Sequence, residues 1–193
     1  MKFLEYVKTF DENYTYVKDE SRDTVHQVGL WHETFHCWLI DREHVYIQKR
    51  SADKKDFPSL FDITAAGHLL ATEKIEEGVR EVEEELGLTL DLAKLQPKGI
   101  VRDVIVLPNF HDNEFANIFL YVSTFAPSDF SLQVEEVASI HRVKKEDFIQ
   151  LYLQEVTTVV CMNIFDEVTT EIGLSDFVPH DDAYFEAIAR MIE

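Results

Sequence analysis

The sequence predicts an α+β protein whose β-sheet is sandwiched between helices, an α/β/α layering. Three observations carry this reading. Strand-like segments rich in β-branched and aromatic residues dominate the chain as far as Val143, one strongly patterned helix interrupts them, and helical spacing takes over from Lys145.

Taken in order, Asp11-Glu12-Asn13 reads as a turn before a strand at residues 14–17. Ser21 is placed to N-cap a short helix opened by Arg22-Asp23-Thr24-Val25-His26. Residues 34–40 (TFHCWLI) and 45–49 (VYIQK) flank Asp41-Arg42-Glu43 and predict an antiparallel hairpin. A further strand is expected at 61–65, then a helix over 73–86 that stops at Gly87. Strands follow at 100–107, 117–124 and 135–143. Beyond Lys145, Phe148, Leu151 and Tyr152 recur at helical spacing, whereas the β-branched run 156–160 fits either state. Residues 181–192 predict a final amphipathic helix with Tyr184, Ala187, Ile188 and Met191 on one side. One domain over residues 1–193 is expected, with its core at about 30–150, an N-terminal segment and a C-terminal helical extension.

Charge narrows the function. Asp and Glu number 37 against 18 Lys and Arg, a net charge of −19 that repels nucleic-acid polymers and anionic membrane surfaces. A small anionic ligand stays admissible, because divalent cations bridge carboxylates to phosphates. Cys37 and Cys161 lie in apolar contexts and are expected as buried free thiols. The chain reaches Glu5 before any apolar stretch and has no uncharged run of membrane-spanning length, so a soluble cytoplasmic protein is expected. Oligomeric state is open, a homodimer included.

The 73–86 helix carries the chemistry. Residues three and four apart share a helix face, which puts Glu77, Glu81, Glu84 and Glu85 on one stripe and Ile75, Val79, Val82 and Leu86 roughly opposite. Four like charges with no Lys or Arg on their stripe repel one another, so the arrangement is either a solvated face or a cation site. Hard divalent cations want several carboxylate oxygens at short range, and a pair of them clamps a diphosphate while activating water.

The run Arg80-Glu81-Val82-Glu83-Glu84-Glu85-Leu86-Gly87-Leu88 matches the second half of the Nudix box, R-E-U-x-E-E-x-G-U with U a bulky aliphatic, and Gly67 and Glu73 match its opening. The chain therefore resembles a Nudix hydrolase. One departure is a spacing of six residues, Lys74 to Val79, where the box has seven; it reads as a shortened loop before the helix. The resemblance implies a mixed β-sheet between helices and activity dependent on Mg²⁺ or Mn²⁺. Glu81, Glu84 and Glu85 would be metal ligands and catalytic, with Glu81 or another nearby acid helping to activate water. Gly67, Glu73, Arg80 and Gly87 would be structural, Arg80 orienting the acids through ion pairs. The implied partner is a small-molecule diphosphate.

Within the family, the stretches 25–38 and 62–68 look like the group that includes type I isopentenyl diphosphate isomerase. Its metal site of histidines and acids implies a second centre here at His26, His32, His68, Asp112 and Glu114, His26 with a one-residue adjustment. The isomerase also needs a cysteine immediately before the Gly-His pair to move protons at carbon. This chain has Ala66 there, and a methyl group carries no proton. Hydrolase therefore ranks above isomerase, with Cys37 as the one substitute thiol, and both rank above a non-catalytic ligand-sensing module. A nucleoside diphosphate derivative is one substrate class, with Trp31, Phe57, Phe110 and Phe115 available either to stack a base or to fill the core.

Overall fold

The computed structural model describes residues 5–108 and 110–193. Strands β1 (Tyr6–Phe10) and β2 (Tyr16–Ser21) form an antiparallel hairpin. Its turn holds Asp11-Glu12-Asn13, and the second strand starts later than residue 14. Helix α1 (Arg22–Val28) begins as expected, with the Ser21 side chain accepting from the Thr24 N–H, and ends at Gly29 in the left-handed region. The remaining strands are β3 (Trp31–Ile40), β4 (His44–Arg50), β5 (Phe61–Asp62), β6 (Ala65–His68), β7 (Gln96–Leu107), β8 (Phe110–Val122), β9 (Val137–Lys144), β10 (Val159–Asn163) and β11 (Thr169–Ile172). Helices α2 (Arg80–Leu86), α3 (Lys145–Tyr152) and α4 (Asp182–Ile192) complete the set.

The strands make one mixed sheet, in the order β11-β10-β9-β4-β3-β1-β2, with β6 and β8 also on β3. Pairing of β3 with β8 is parallel over Trp31↔Asn113 to Ile40↔Val122. The expected 34–40/45–49 hairpin closes only at Ile40↔Val45. Beyond it β4 runs with β9, while β3 takes β6 and β8. The reason is that β3 is buried along nearly its whole length, and a strand without a solvent face is stable only with partners on both sides.

Each face of the sheet has its own core. Trp38, Ile40, Ile118 and Leu120 pack with Phe148, Leu151, Tyr184 and Ile188 of α3 and α4. Phe35, Cys37, Leu39 and Phe119 pack with Val82 and Leu86 of α2. That is the predicted sandwich. In detail, three expectations change and one open alternative closes. Residues 73–86 are not one helix: Ile75–Val79 is a 3₁₀ turn and only Arg80–Leu86 is α-helical. Residues 61–65 split between β5 and β6, and the run 156–160 leads into β10. The buried face of α4 is Tyr184, Phe185, Ile188, Ala189 and Ile192, with Ala187 and Met191 only partly covered. Both cysteines are free and buried. No described helix is long and apolar enough to cross a membrane.

A buried ionic knot ties α4 to the sheet. His180 Nδ1 lies 2.5 Å from Asp103 Oδ2 and its Nε2 3.3 Å from Asp62 Oδ1, while Arg50 donates to Asp62 Oδ2 at 2.7 Å. Burial opposes a charged imidazole, but the two carboxylates outweigh it and lift His180 to about 10. Because the folded value lies above that of an unfolded histidine, about 6.5, the stabilisation is complete below pH ~6.5 and fades as pH rises toward about 10. His180→Ala should therefore cost about 3 kcal/mol at pH 6. Melting curves of wild type and variant should converge between pH 6 and pH 10; a constant gap would show that the knot does not titrate as described.

Candidate active site

Alternation along the strands sorts the candidate residues by face. Register pairs His68 with Thr34 and Ala66 with His36 across β6 and β3, His32 with Glu114 across β3 and β8, and Asp103 with Glu114 across β8 and β7. His32, Thr34, His36, Ala66, His68, Asp103, Asp112 and Glu114 thus share the face toward α4. Gly67 and Cys37 belong to the face toward α2.

On the first face the structure brings four predicted ligands together. His26 reaches in from α1, and one ligand atom from each of His26, His32, His68 and Asp112 lies within 4.8 Å of all the others. The Nε2 atoms of His26 and His68 are 3.0 Å apart, and Asp112 Oδ1 is 3.3 Å from both His26 Nε2 and His32 Nε2. The 3.3 Å contact to His32 lacks hydrogen-bond geometry, so His32 Nε2 and Asp112 Oδ1 are both buried without a hydrogen-bond partner. Such orphaned atoms, beside two imidazole nitrogens aimed at each other, suit a shared cation. His32 Nδ1 lies 3.0 Å from the Leu30 carbonyl, which turns Nε2 into the cluster. Burial favours neutral His68 and drives its pKa well down; burial also opposes the Asp112 carboxylate, but the histidines hold it well below the usual range. Glu114 is not part of this cluster. Its Oε2 is 3.2 Å from both Thr34 Oγ1 and His36 Nε2, and His36 Nδ1 is 2.8 Å from the Tyr184 hydroxyl.

Box residues build a second arrangement. Arg80 donates to Glu73 at 2.5 Å, to Glu81 at 2.6 Å, to Glu84 at 3.2 Å and to the His68 carbonyl at 3.1 Å. A cation therefore does sit on the glutamate stripe, which the helical wheel had left without one. Glu73 also accepts from the Leu70 N–H at 2.8 Å. The 3₁₀ turn Ile75–Val79 follows it and fills most of the six-residue spacing between Glu73 and Arg80. Glu77 drops off the stripe: it is exposed and accepts from the Lys74 N–H at 2.7 Å.

The three ligand candidates do not converge on one point. Glu84 is 55% exposed and reaches only Arg80, whereas Glu85 is buried and accepts from Gln48 Nε2 at 3.2 Å. A Cβ at Gly67 would come within 2.2 Å of the Glu81 carboxyl carbon, so glycine is what lets that carboxylate lie against β6. Burial raises Glu81 to about 7 despite Arg80; burial and the neighbouring Glu81 raise Glu85 to about 8. Lys54, ion-paired to Glu136, lies close enough to Glu85 to favour its charged form, while Asp62 and Glu136 oppose it.

Gln48, Lys54 and Asp62 were missed by sequence reasoning. The one signal was Gln48 itself, a polar residue in the apolar run of β4. Aromatic candidates separate too. Phe115 is buried against Trp31 and Tyr14, with centroids 4.7 Å away in each case, and is core. Phe110 stacks on His26 at 5.0 Å, and Phe57 meets Phe110 edge-on at 5.8 Å.

The NUDIX domain family matches residues 30–158. An uncharacterized Nudix hydrolase of Clostridium acetobutylicum is 30% identical over 97% of this chain and 97% of its own length. The isopentenyl-diphosphate Delta-isomerase 1 of Photorhabdus laumondii is 26% identical over 86% of this chain and 99% of its own. A crystal structure of a Deinococcus radiodurans protein superposes with a TM-score of 0.57 at 17% identity, covering 75% of this chain and 86% of the other, and shares the fold. With the box residues gathered around Arg80, a mixed sheet between helices and a family match over more than half its length, the chain belongs to the Nudix hydrolase family.

Proposed function

We propose that the protein is a Mg²⁺- or Mn²⁺-dependent hydrolase that cleaves the diphosphate linkage of a small molecule. The observation that carries this reading is the buried Glu85 beside the half-buried Glu81: Glu85 has no cationic hydrogen-bond partner among the described residues, and burial pushes the two acids up to about 8 and about 7. Uncompensated buried carboxylates are costly, and a divalent ion offsets that cost directly. Glu81, Glu84 and Glu85 would hold the ion, Glu84 by swinging its exposed side chain away from Arg80. When bound, the ion supplies charge neutralisation at the diphosphate and a more acidic water.

The chain's own residues do the rest. Arg80, locked by Glu73, fixes the start of α2 and thereby Glu81. Glu81, which Arg80 holds at 2.6 Å against the sheet, is the acid placed to help orient and deprotonate an attacking water. Lys54 is a cation close to Glu85 and is placed to attract a diphosphate oxygen. His26, His32, His68 and Asp112 would hold a second ion, whose mixed imidazole and carboxylate donors suit Mn²⁺ better than Mg²⁺. Phe57 and Phe110 border that centre and would meet the group attached to the diphosphate, which admits a nucleoside derivative.

The histidine centre and the isomerase relative favour a second reading, an isomerase-like enzyme. Ala66 opposes it, and Cys37 is no substitute. It pairs with Ala65 on the far face of the sheet, and burial lifts its thiol to about 12. A sensing module is disfavoured for another reason: it has no use for carboxylates buried at such cost.

Chelation should abolish phosphate release from a diphosphate panel, and Mg²⁺ or Mn²⁺ should restore it and raise the melting temperature. Turnover that persists in excess chelator would eliminate the metal-dependent reading. Glu81→Gln, Glu84→Gln and Glu85→Gln should each lower kcat by roughly 100-fold or more, since metal clamping supplies several kcal/mol. Gly67→Ala should behave like Glu81→Gln by displacing that carboxylate, while Glu83→Gln stays within a few-fold of wild type. Equal, small effects across the set would reduce the acidic stripe to a solvated face. Isopentenyl diphosphate incubated in D₂O with enzyme and metal should gain no deuterium by mass spectrometry, and clear exchange would invert the ranking of the two enzymes.

A further inference from the structure

We propose that Gln48 is a positioning residue for the metal: its side-chain amide pins one oxygen of Glu85 and leaves the other for the cation. This rests on the reading of Glu85 as a ligand.

Gln48 lies on β4 between two partners, Asp62 on β5 and Ile140 on β9, so its backbone is held from both sides. Its side chain is buried, on the same side of the strand as Tyr46, which packs in the core facing α2. An amide in such surroundings costs roughly 1–3 kcal/mol unless it is hydrogen-bonded. Here the bond is Gln48 Nε2 to Glu85 Oε2, 3.2 Å, and it is the only side-chain hydrogen bond that Glu85 makes among the described residues.

The contrast with the other acids explains why the donor is neutral. Glu81 and Glu84 bind Arg80, whose charge already compensates part of theirs. Among the described residues Arg80 makes no hydrogen bond or ion pair with Glu85, which is left without a direct cationic partner. A Lys at position 48 would be such a partner and compete with the ion, and a Glu would add repulsion. An amide does neither; it fixes the rotamer and leaves Oε1, which makes no hydrogen bond among the described residues, as the coordinating atom. Partners of this kind typically change metal affinity about 10- to 100-fold when removed.

The test uses Mn²⁺ alone, without substrate. Its binding is followed by the loss of the free-ion electron paramagnetic resonance signal and by calorimetry, for wild type, Gln48→Met, Gln48→Leu, Glu85→Gln and the control Glu83→Gln. Met and Leu fill the space but donate nothing, and melting temperatures in chelator establish that each variant is folded. The expected result is loss of one Mn²⁺ site in Glu85→Gln, weakening of that site by about 10- to 100-fold in Gln48→Met and Gln48→Leu, and no change in Glu83→Gln. A purely structural role for Gln48 would lower the metal-free melting temperature and leave Mn²⁺ affinity intact, and that outcome overturns the proposal. If Glu85→Gln binds Mn²⁺ like wild type, the ligand reading itself fails and this inference falls with it. If Glu85→Gln loses the site while both Gln48 variants keep wild-type affinity, only the role of Gln48 is refuted.

Discussion

The arrangement depends on one strand, β3, being buried on both faces. Period-two alternation then puts neighbouring residues into different environments: His36 faces α4 with Glu114 and Tyr184, while Cys37 faces α2 in an apolar core. Both of its long edges are taken up, by β6 on one side and by β8 on the other. Three strands thereby contribute to each face at fixed register, so the histidine centre and the α2 core lie back to back with only the sheet between them.

That separation sets the electrostatics of the box. The start of α2 lies over β6, where Gly67 allows Glu81 to come down onto the sheet, and burial then works against both Glu81 and Glu85. Arg80 could relieve this only by reaching every acid. Its guanidinium is already committed to Glu73, Glu81, Glu84 and a backbone carbonyl, so Glu85 is left with an amide. On the proposed reading, a multivalent cation would supply the positive charge that Arg80 does not bring to Glu85.

What was legible in the sequence was what is local. The glutamate stripe, Gly87 at the end of α2 and the Ser21 cap are read from local spacing, because a helix brings together residues three and four apart, whereas the ion pairs of Arg80 were implied only by the resemblance to the Nudix box. The Ile75–Val79 turn was misread for lack of one non-local fact: a side chain at Gly78 would meet Phe35 at 2.5 Å, so this segment lies flat on β3. Gln48, Lys54, Asp62, Asp103 and His180 reach their places through strand pairing and the return of the C-terminal segment. No periodicity encodes such contacts. Glu114 illustrates the finer limit: alternation put it on the right face, but hydrogen bonds to Thr34 and His36 turn it away from the cluster two residues earlier.

The same face also separates two chemistries that the fold would otherwise permit, since fold alone specifies neither. A histidine cluster of this kind is compatible with proton transfer at carbon only if some group there can exchange a proton with a substrate. Ala66 offers none. The remaining groups on that face are committed: His36 between Tyr184 and Glu114, His180 between Asp62 and Asp103, and Asp112 to the histidines. The carboxylates with pKa values near neutrality, Glu81 and Glu85, lie instead at the box helix. Carboxyl groups that burial makes unusually basic thus sit at the box helix and not among the histidines, which is the placement that the proposed hydrolytic reading requires.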